Sequence, residues 1–334
     1  MKIVSWRNPR FLNFGDDINE YLWPLLLPRH DKYNPNDYLL GIGTVLRDNM
    51  IPTEGRVHVV GSGAGYGRAD KSMKSGRLNI VSVRGPLSAK VLGIDSSLGI
   101  IDPASLLSEC EEFEDLDIPQ KGIGFVPHCE TAYISLWNKV CEKANIKYIS
   151  PTDEYKKVIK SIIGCELIIA ESLHGAIIAD SFRIPWIPVT TSNIINPFKW
   201  LDWTSSLELP YAPYHIKNVS SFAEAFYKKK SILGKKNLQK KFDIIDEVRK
   251  YENLLNENDI KNKKKSFGIH LKFCEFLNNS FVDNIISRSL VDKTSKDLSD
   301  IAEKPYFLSD IRVFENKKDM LKSQLSKFVD CGFK

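Results

Sequence analysis

A chain of 334 residues, 43% hydrophobic and 10% aromatic, carries enough apolar surface to exclude a disordered or fibrous protein, and its length predicts two domains at roughly 150 residues each. Its six cysteines (Cys110, Cys129, Cys141, Cys165, Cys274 and Cys331) form no CxxC pair or finger spacing, no 18 apolar residues run together, and the start lacks a signal-peptide core; reduced thiols in a cytoplasm fit best. The net charge of +5 is modest but uneven, with "KKKSILGKKNLQKKF" and "KNKKK" loading the last third with lysine, and no aromatic residues interleave as in a nucleic-acid platform.

In chain order, β-rich runs occur at "KIVSW", "YLLGIG", "RVHVVGSG", "LNIVSVRG" and "LGIID", with helical stretches such as "DDINEYLWPLLL" and "PLSAKVLG" among them. That alternation predicts a mostly parallel sheet. A charged, proline-containing stretch, "SECEEFEDLDIPQKG", interrupts the pattern and is read as a domain junction. The alternation resumes with "GIGFVPH", helix "AYISLWNKVCEKA", "IKYIS", helix "DEYKKVIKSII", "CELIIAES", helix "HGAIIADSF" and "WIPVT". The expected fold class is α/β: two doubly wound Rossmann-like domains, 1–118 and 119–220, facing a cleft, with a helical lysine-rich tail over 221–334. The last forty residues are expected to attach loosely. The lysine runs suit an anionic membrane surface, a polyanion or water, so the location expected is cytoplasmic, with a peripheral contact at the inner face of the membrane as one reading.

Two such domains place the carboxyl ends of both sheets at a shared cleft, so the residues there are the candidates. Glycine-rich turns and helix N-termini suit an anion. Within "GSGAGYG", Gly61 and Gly63 are candidate binding residues, although the spacing is not the dinucleotide fingerprint and a tight structural turn reads equally well. Arg84 follows the apolar run "NIVSV" and precedes Gly85 and Pro86; its fork either grips a carboxylate or phosphate or pairs with a neighbouring acid. Asp16 and Asp17 sit at the start of the first helix, where one caps and the other is a candidate base toward a sugar hydroxyl.

In "ESLHGAI", Ser172 makes a good N-cap, which puts His174 in the first helical turn. The helix dipole there disfavours the imidazolium and a bound polyanion reverses that preference, a combination that suits a general acid. His128 ends another strand in the same manner. Metal ligation by the two histidines lacks an HxxxH or carboxylate cluster to support it, so no metal is expected. Trp200 and Trp203 in "NPFKWLDW" share a helical face as core aromatics, and Lys199 beside them is a second candidate anion clamp.

Together, "NFGDDIN", "GIGTVL", "GSGAGYG", "SVRGP", "IDPA", "VPH", "ESLHGAIIAD" and "KWLDW" resemble the polysaccharide pyruvyl transferase family over about residues 3 to 205. The resemblance implies a GT-B-like fold and transfer of pyruvate from phosphoenolpyruvate to a sugar hydroxyl pair as a cyclic ketal, in cell-surface polysaccharide synthesis and without a redox cofactor. It implies His174 as the acid, Asp16 or Asp17 as the base, and a free or lipid-linked sugar acceptor. Many members carry arginine directly before the Leu–His pair, where this chain has Ser172; that departure is similar to the exopolysaccharide and succinoglycan branch and leaves Arg84 and Lys199 as the candidate cations. The alternatives are a GT-B glycosyltransferase using a nucleotide sugar and a catalytically silent sugar- or anion-binding protein.

Overall fold

The computed structural model describes residues 1–27, 33–114, 116–192, 194–217, 219, 239–253 and 281–331, and of 134 and 281–288 the backbone alone. Its first sheet holds β1 (Lys2–Val4), β2 (Tyr38–Leu40), β3 (Val57–Ser62) and β4 (Leu78–Val83) in that order, all parallel. The helices between and after them are α1 (Phe14–Leu26), α2 (Asp70–Lys74) and α3 (Pro86–Leu92). Every residue of β3 is buried, as expected for a strand covered on both faces. Pro86 opens α3, and Gly93 closes it in the left-handed region at φ 65°, the usual proline-in, glycine-out punctuation.

The run "LGIID" contributes only a bridge between Gly99 and Val83. Asp102 accepts a hydrogen bond from the Ala104 N–H at 3.0 Å and, with Pro103, turns the chain into a 3-10 helix, Pro103–Glu109, before a strand can lengthen. A short helix, α4 (Glu111–Glu114), leads to the second sheet.

That sheet contains β5 (Ile123–Val126), β6 (Lys147–Tyr148), β7 (Leu167–Ala170), β8 (Trp186–Thr190) and β9 (Tyr214–His215), parallel and ordered β6-β5-β7-β8-β9. Its helices are α5 (Cys129–Ile134), α6 (Trp137–Ala144), α7 (Tyr155–Ile163), α8 (Leu173–Ser181) and α9 (Pro197–Ser206). In α7, Val158, Ile159, Ile162 and Ile163 are buried, the spacing of a core-facing stripe. The chain leaves β5 toward β6 on one side and β7 on the other, so the order reverses beside β5, the topological point at which open α/β sheets bind ligands at the strands' carboxyl ends.

α9 ties the two sheets together by packing against α3. A Cβ on Gly85 would lie 2.0 Å from the Asp202 carbonyl oxygen, so only a glycine admits this approach. Trp200 and Trp203 are buried and meet Trp186 at ring separations of 6.1 and 5.2 Å: they are core aromatics.

The C-terminal part is α10 (Ile244–Glu252), α11 (Phe281–Ala302) and α12 (Ile311–Cys331). α10 lies on α9 and α3, α11 on α6, and α12 on β4 and the Pro103–Glu109 turn. The loose attachment expected of the last forty residues is not what α12 has. Phe314, Leu321, Leu325 and Phe328 are buried and form one stripe along the helix, while Lys318 pairs with Glu109 at 2.9 Å and Glu315 at 3.0 Å. Of the lysine runs, 228–238 and 261–265 lie outside the described residues, while Lys240 and Lys241, which close the first run, fall within them. Among those described, no helix is long and apolar enough to cross a membrane.

Candidate functional site

The loops after β1, β2, β3, β5 and β7 and the start of α9 meet at the carboxyl ends of the strands. Asn13 precedes α1 but its amide does not cap the helix; it donates instead to Asp16 Oδ2. Asn19 anchors this turn of α1 to the loop after β2, donating to the carbonyls of Asp16 and Ile42, both at 2.9 Å. Asp16 is thereby held buried. Burial pushes its carboxyl up to about 6, against the opposing pull of His174 and Lys199. Asp17, raised mainly by its own partial burial, feels Arg7 rather than the cleft. Of the two adjacent acids, Asp16 is the one inside the site, and neither serves as the N-cap.

Ser172 caps α8, its hydroxyl accepting the Gly175 N–H at 3.3 Å, which sets His174 in the first turn. Its Nε2 stands 3.8 Å from Asp102 Oδ2, and neither atom has a hydrogen-bond partner among the described residues. A Cβ at Gly15 would come within 2.0 Å of His174 Nδ1, so the glycine is what lets α1 close against the ring. The imidazole therefore sits between the α1 turn bearing Asp16 and the Asp102 carboxylate.

His128 caps α5, with Nδ1 accepting the Glu130 N–H at 3.3 Å. Burial, with the Lys199 charge adding to it, pushes its imidazole down to about 3; the ring is neutral at physiological pH, and with Nδ1 accepting it carries its proton on Nε2. Glu171 is a cross-tie: its carboxylate accepts from the His128 N–H at 3.0 Å, the Thr191 N–H at 2.8 Å and hydroxyl at 2.6 Å, and the Thr131 hydroxyl. With that many donors it fixes the ends of β5, β7 and β8 and is left no chemical role.

Arg84 belongs to the architecture. It is 1% exposed, and its fork donates to Asp202 at 3.0 Å, Thr44 at 2.9 Å and the Ala64 carbonyl at 3.0 Å. The expected opening toward a ligand is filled by protein partners, and the pairing with a neighbouring acid is the reading the structure carries. Gly61 and Gly63 serve the same packing: a Cβ on the first would strike Pro103 and on the second the Arg84 guanidinium, each at 2.1 Å. Ser172 likewise is spent on its cap.

Lys199, by contrast, is half-buried and has no ion-pair partner among the described residues. Its Nζ lies 5.0 Å from the centroid of the Tyr66 ring and donates weakly to the hydroxyl at 3.4 Å, and its charge is felt by Asp16, His128 and Cys129. Asn196, at the start of α9, donates to the Gly65 carbonyl at 2.6 Å, which holds Lys199 over the loop after β3. Two residues given no role by the sequence stand here as well: Asp102 beside His174, and Arg47 near Tyr66. The signal for both was position alone, an acid at the end of "LGIID" and a cation in the loop that follows "GIGT". Among the described residues no group of three or more His, Cys, Asp or Glu is arranged to hold a metal ion.

Parallel sheets, with a buried acid, a histidine and cations at their strand ends, define an α/β protein. Residues 51–193 match the family described as polysaccharide pyruvyl transferase. The chain is also 45% identical over 228 residues to the succinoglycan biosynthesis protein ExoV of Rhizobium meliloti (strain 1021), which covers 68% of this chain and 71% of that protein. The chain belongs to the polysaccharide pyruvyl transferase family. No solved structure matches it.

Proposed function

We propose that this protein transfers pyruvate from phosphoenolpyruvate to a pair of sugar hydroxyls, forming a cyclic ketal in exopolysaccharide synthesis, with the two sheets acting as the facing halves of a GT-B-like enzyme. The observation that carries the reading is the proximity of His174 and Lys199 to buried Asp16, close enough for both charges to act on it, which gives an acid, a base and a cation to a substrate that needs all three. His174 delivers a proton to the methylene carbon of phosphoenolpyruvate, and the central carbon becomes an oxocarbenium-like electrophile. A sugar hydroxyl oxygen bonds to that carbon and gives up its proton, restoring the one that was spent. The carbon–oxygen bond to phosphate then breaks, the pair leaving with phosphate. The second hydroxyl closes the ketal, and its proton ends on the phosphate.

Asp16 suits the base, because a carboxyl held near 6 exchanges protons at neutral pH more readily than an ordinary one. Asp102 is suited to hold the His174 ring and to balance its charge once protonated. His128, neutral with its proton on Nε2, offers a hydrogen bond to the donor's carboxylate. Family membership and the likeness to a succinoglycan biosynthesis protein favour an exopolysaccharide acceptor.

The test is phosphate release from phosphoenolpyruvate with an exopolysaccharide repeat unit as acceptor, together with ketal detection on the product. His174→Asn keeps a polar group at the helix start but cannot protonate carbon, so turnover falls about 100- to 10,000-fold while phosphoenolpyruvate binding survives. Normal turnover in that variant removes His174 as the acid. Release of a nucleoside diphosphate from a nucleotide sugar instead would transfer the protein to the glycosyltransferases.

A further inference from the structure

Arg47 raises a question that Arg84 does not. It is 6% exposed, yet its Nε has no hydrogen-bond partner, and no carboxylate among the described residues pairs with its guanidinium. Burial without a partner weakens its hold on its proton, with Tyr66 and Asp16 opposing that effect. Lys318, as deeply buried, has two glutamates. A guanidinium Nε–H buried without an acceptor is destabilising, and native proteins rarely keep such a group unless something outside the chain completes it.

Its neighbours indicate what completes it. The guanidinium carbon lies 5.9 Å from the centroid of the Tyr66 ring and Lys199 Nζ lies 5.0 Å from the same centroid. Lys199 also lacks an ion-pair partner among the described residues. Two cations thus flank one tyrosine whose hydroxyl is a third donor, and Asp16 is near enough for both charges to act on it. The loops are locked in this relation: a Cβ at Gly65 would sit 3.0 Å from Thr44 Cγ2 and 3.1 Å from Lys199 Cγ. A fork, a point charge and a hydroxyl together match a tetrahedral dianion better than a carboxylate.

We propose that Arg47 and Lys199, on the two sides of Tyr66, form the seat of the phosphate group of the donor, the group that later leaves as free phosphate. The proposal rests on the pyruvyl-transfer reading for the donor's identity, while the seat itself rests on the unpartnered Arg47 Nε and the placing of both cations about Tyr66. In this arrangement the phosphate is drawn away from the central carbon as the bond breaks, and Arg84 keeps the loop behind the seat in place.

The seat is tested on the full chain by calorimetric binding and thermal melting, with orthophosphate, phosphoenolpyruvate, pyruvate and a nucleoside diphosphate as separate probes, against Arg47→Met and Lys199→Met. Orthophosphate and phosphoenolpyruvate are expected to raise the melting temperature of the wild type. Each substitution is expected to weaken both at least tenfold and to leave pyruvate unchanged. Arg47→Met without ligand should melt no lower than wild type, because it removes an uncompensated charge; Lys199, only partly buried on a helix, gives a second variant should the first fail to fold. Wild-type affinity for orthophosphate and phosphoenolpyruvate in folded Arg47→Met or Lys199→Met overturns the seat and leaves the transferase reading standing. Arg47-dependent binding of orthophosphate or of the nucleoside diphosphate, with none of phosphoenolpyruvate, keeps the seat and sinks the donor. An absence of binding by every phosphate probe to the wild type also overturns the seat.

Discussion

The loop after β4 and the loop after β2 each bury an arginine, and the two have opposite surroundings. Arg84 spends its fork on Asp202, Thr44 and Ala64, and Asp202 is further held by the Ser88 N–H at 2.8 Å and its hydroxyl at 2.5 Å. Arg47, a short way along the same rim, has no such circle. A buried charge whose partners are all protein is part of the frame, and one whose partners are missing marks where a substrate belongs. By the same measure Glu171 is frame, while His174 Nε2 and Asp102 Oδ2 are left without protein partners.

The comparison breaks most visibly at Arg84. Arg84→Met strands the Asp202 carboxylate at the junction of α3 and α9 and should cost about 3 to 5 kcal/mol in urea or thermal unfolding; a loss below about 1 kcal/mol would put Arg84 outside the frame. Asp16 gives the next largest effect, and its sign is opposite to that of a salt-bridged acid. Its carboxyl is raised from 3.8 to about 6 in the folded protein, so between about pH 4 and 6 the native state keeps a proton that the unfolded chain has released. The stability from that proton is complete below about pH 4 and is lost as pH rises through 6, to the extent of ~3 kcal/mol. Asp16→Asn should flatten the slope of stability against pH in this window and melt above wild type at pH 7.5, where an unchanged slope would show that Asp16 is an ordinary carboxylate. Ser172 extends the comparison to a neutral group with a complete partner: Ser172→Ala removes the α8 cap and should cost about 1 kcal/mol, read from the melting curve. A cost near zero would mean that packing alone positions His174.

Local order was the legible part of the sequence. The alternation of strands and helices, the Ser172 cap that places His174, the tryptophan pair of α9 and the acid in the first turn of α1 all follow from residues within one or two helical turns of each other. What decided between frame and site was not local. The partner of Arg84 lies 118 residues downstream, so nothing beside "VRGP" distinguishes a fork held by protein from one left open. Gly61 and Gly63 looked like ligand contacts because glycine advertises close approach but does not say to what; here it is to Pro103 and to Arg84. Arg47 and Asp102 were passed over because a charged residue at a strand end is commonplace until its neighbours are known. α12 was misjudged as loosely attached since its many charges obscured an apolar stripe whose partner is the first sheet.

That last helix bears on how the chain is made. Phe328 stacks on Tyr33 with ring centroids 5.4 Å apart and lies 5.0 Å from the His58 ring, so a helix far along the chain finishes a core begun about 300 residues earlier. On the ribosome the first sheet must wait, one apolar flank uncovered, until α12 has emerged, a high-contact-order arrangement that folds slowly and is exposed to aggregation meanwhile. Stop codons or fusion junctions upstream of residue 311 therefore injure the amino-terminal half first, and a purification tag is tolerated better when it trails α12 than when it replaces it.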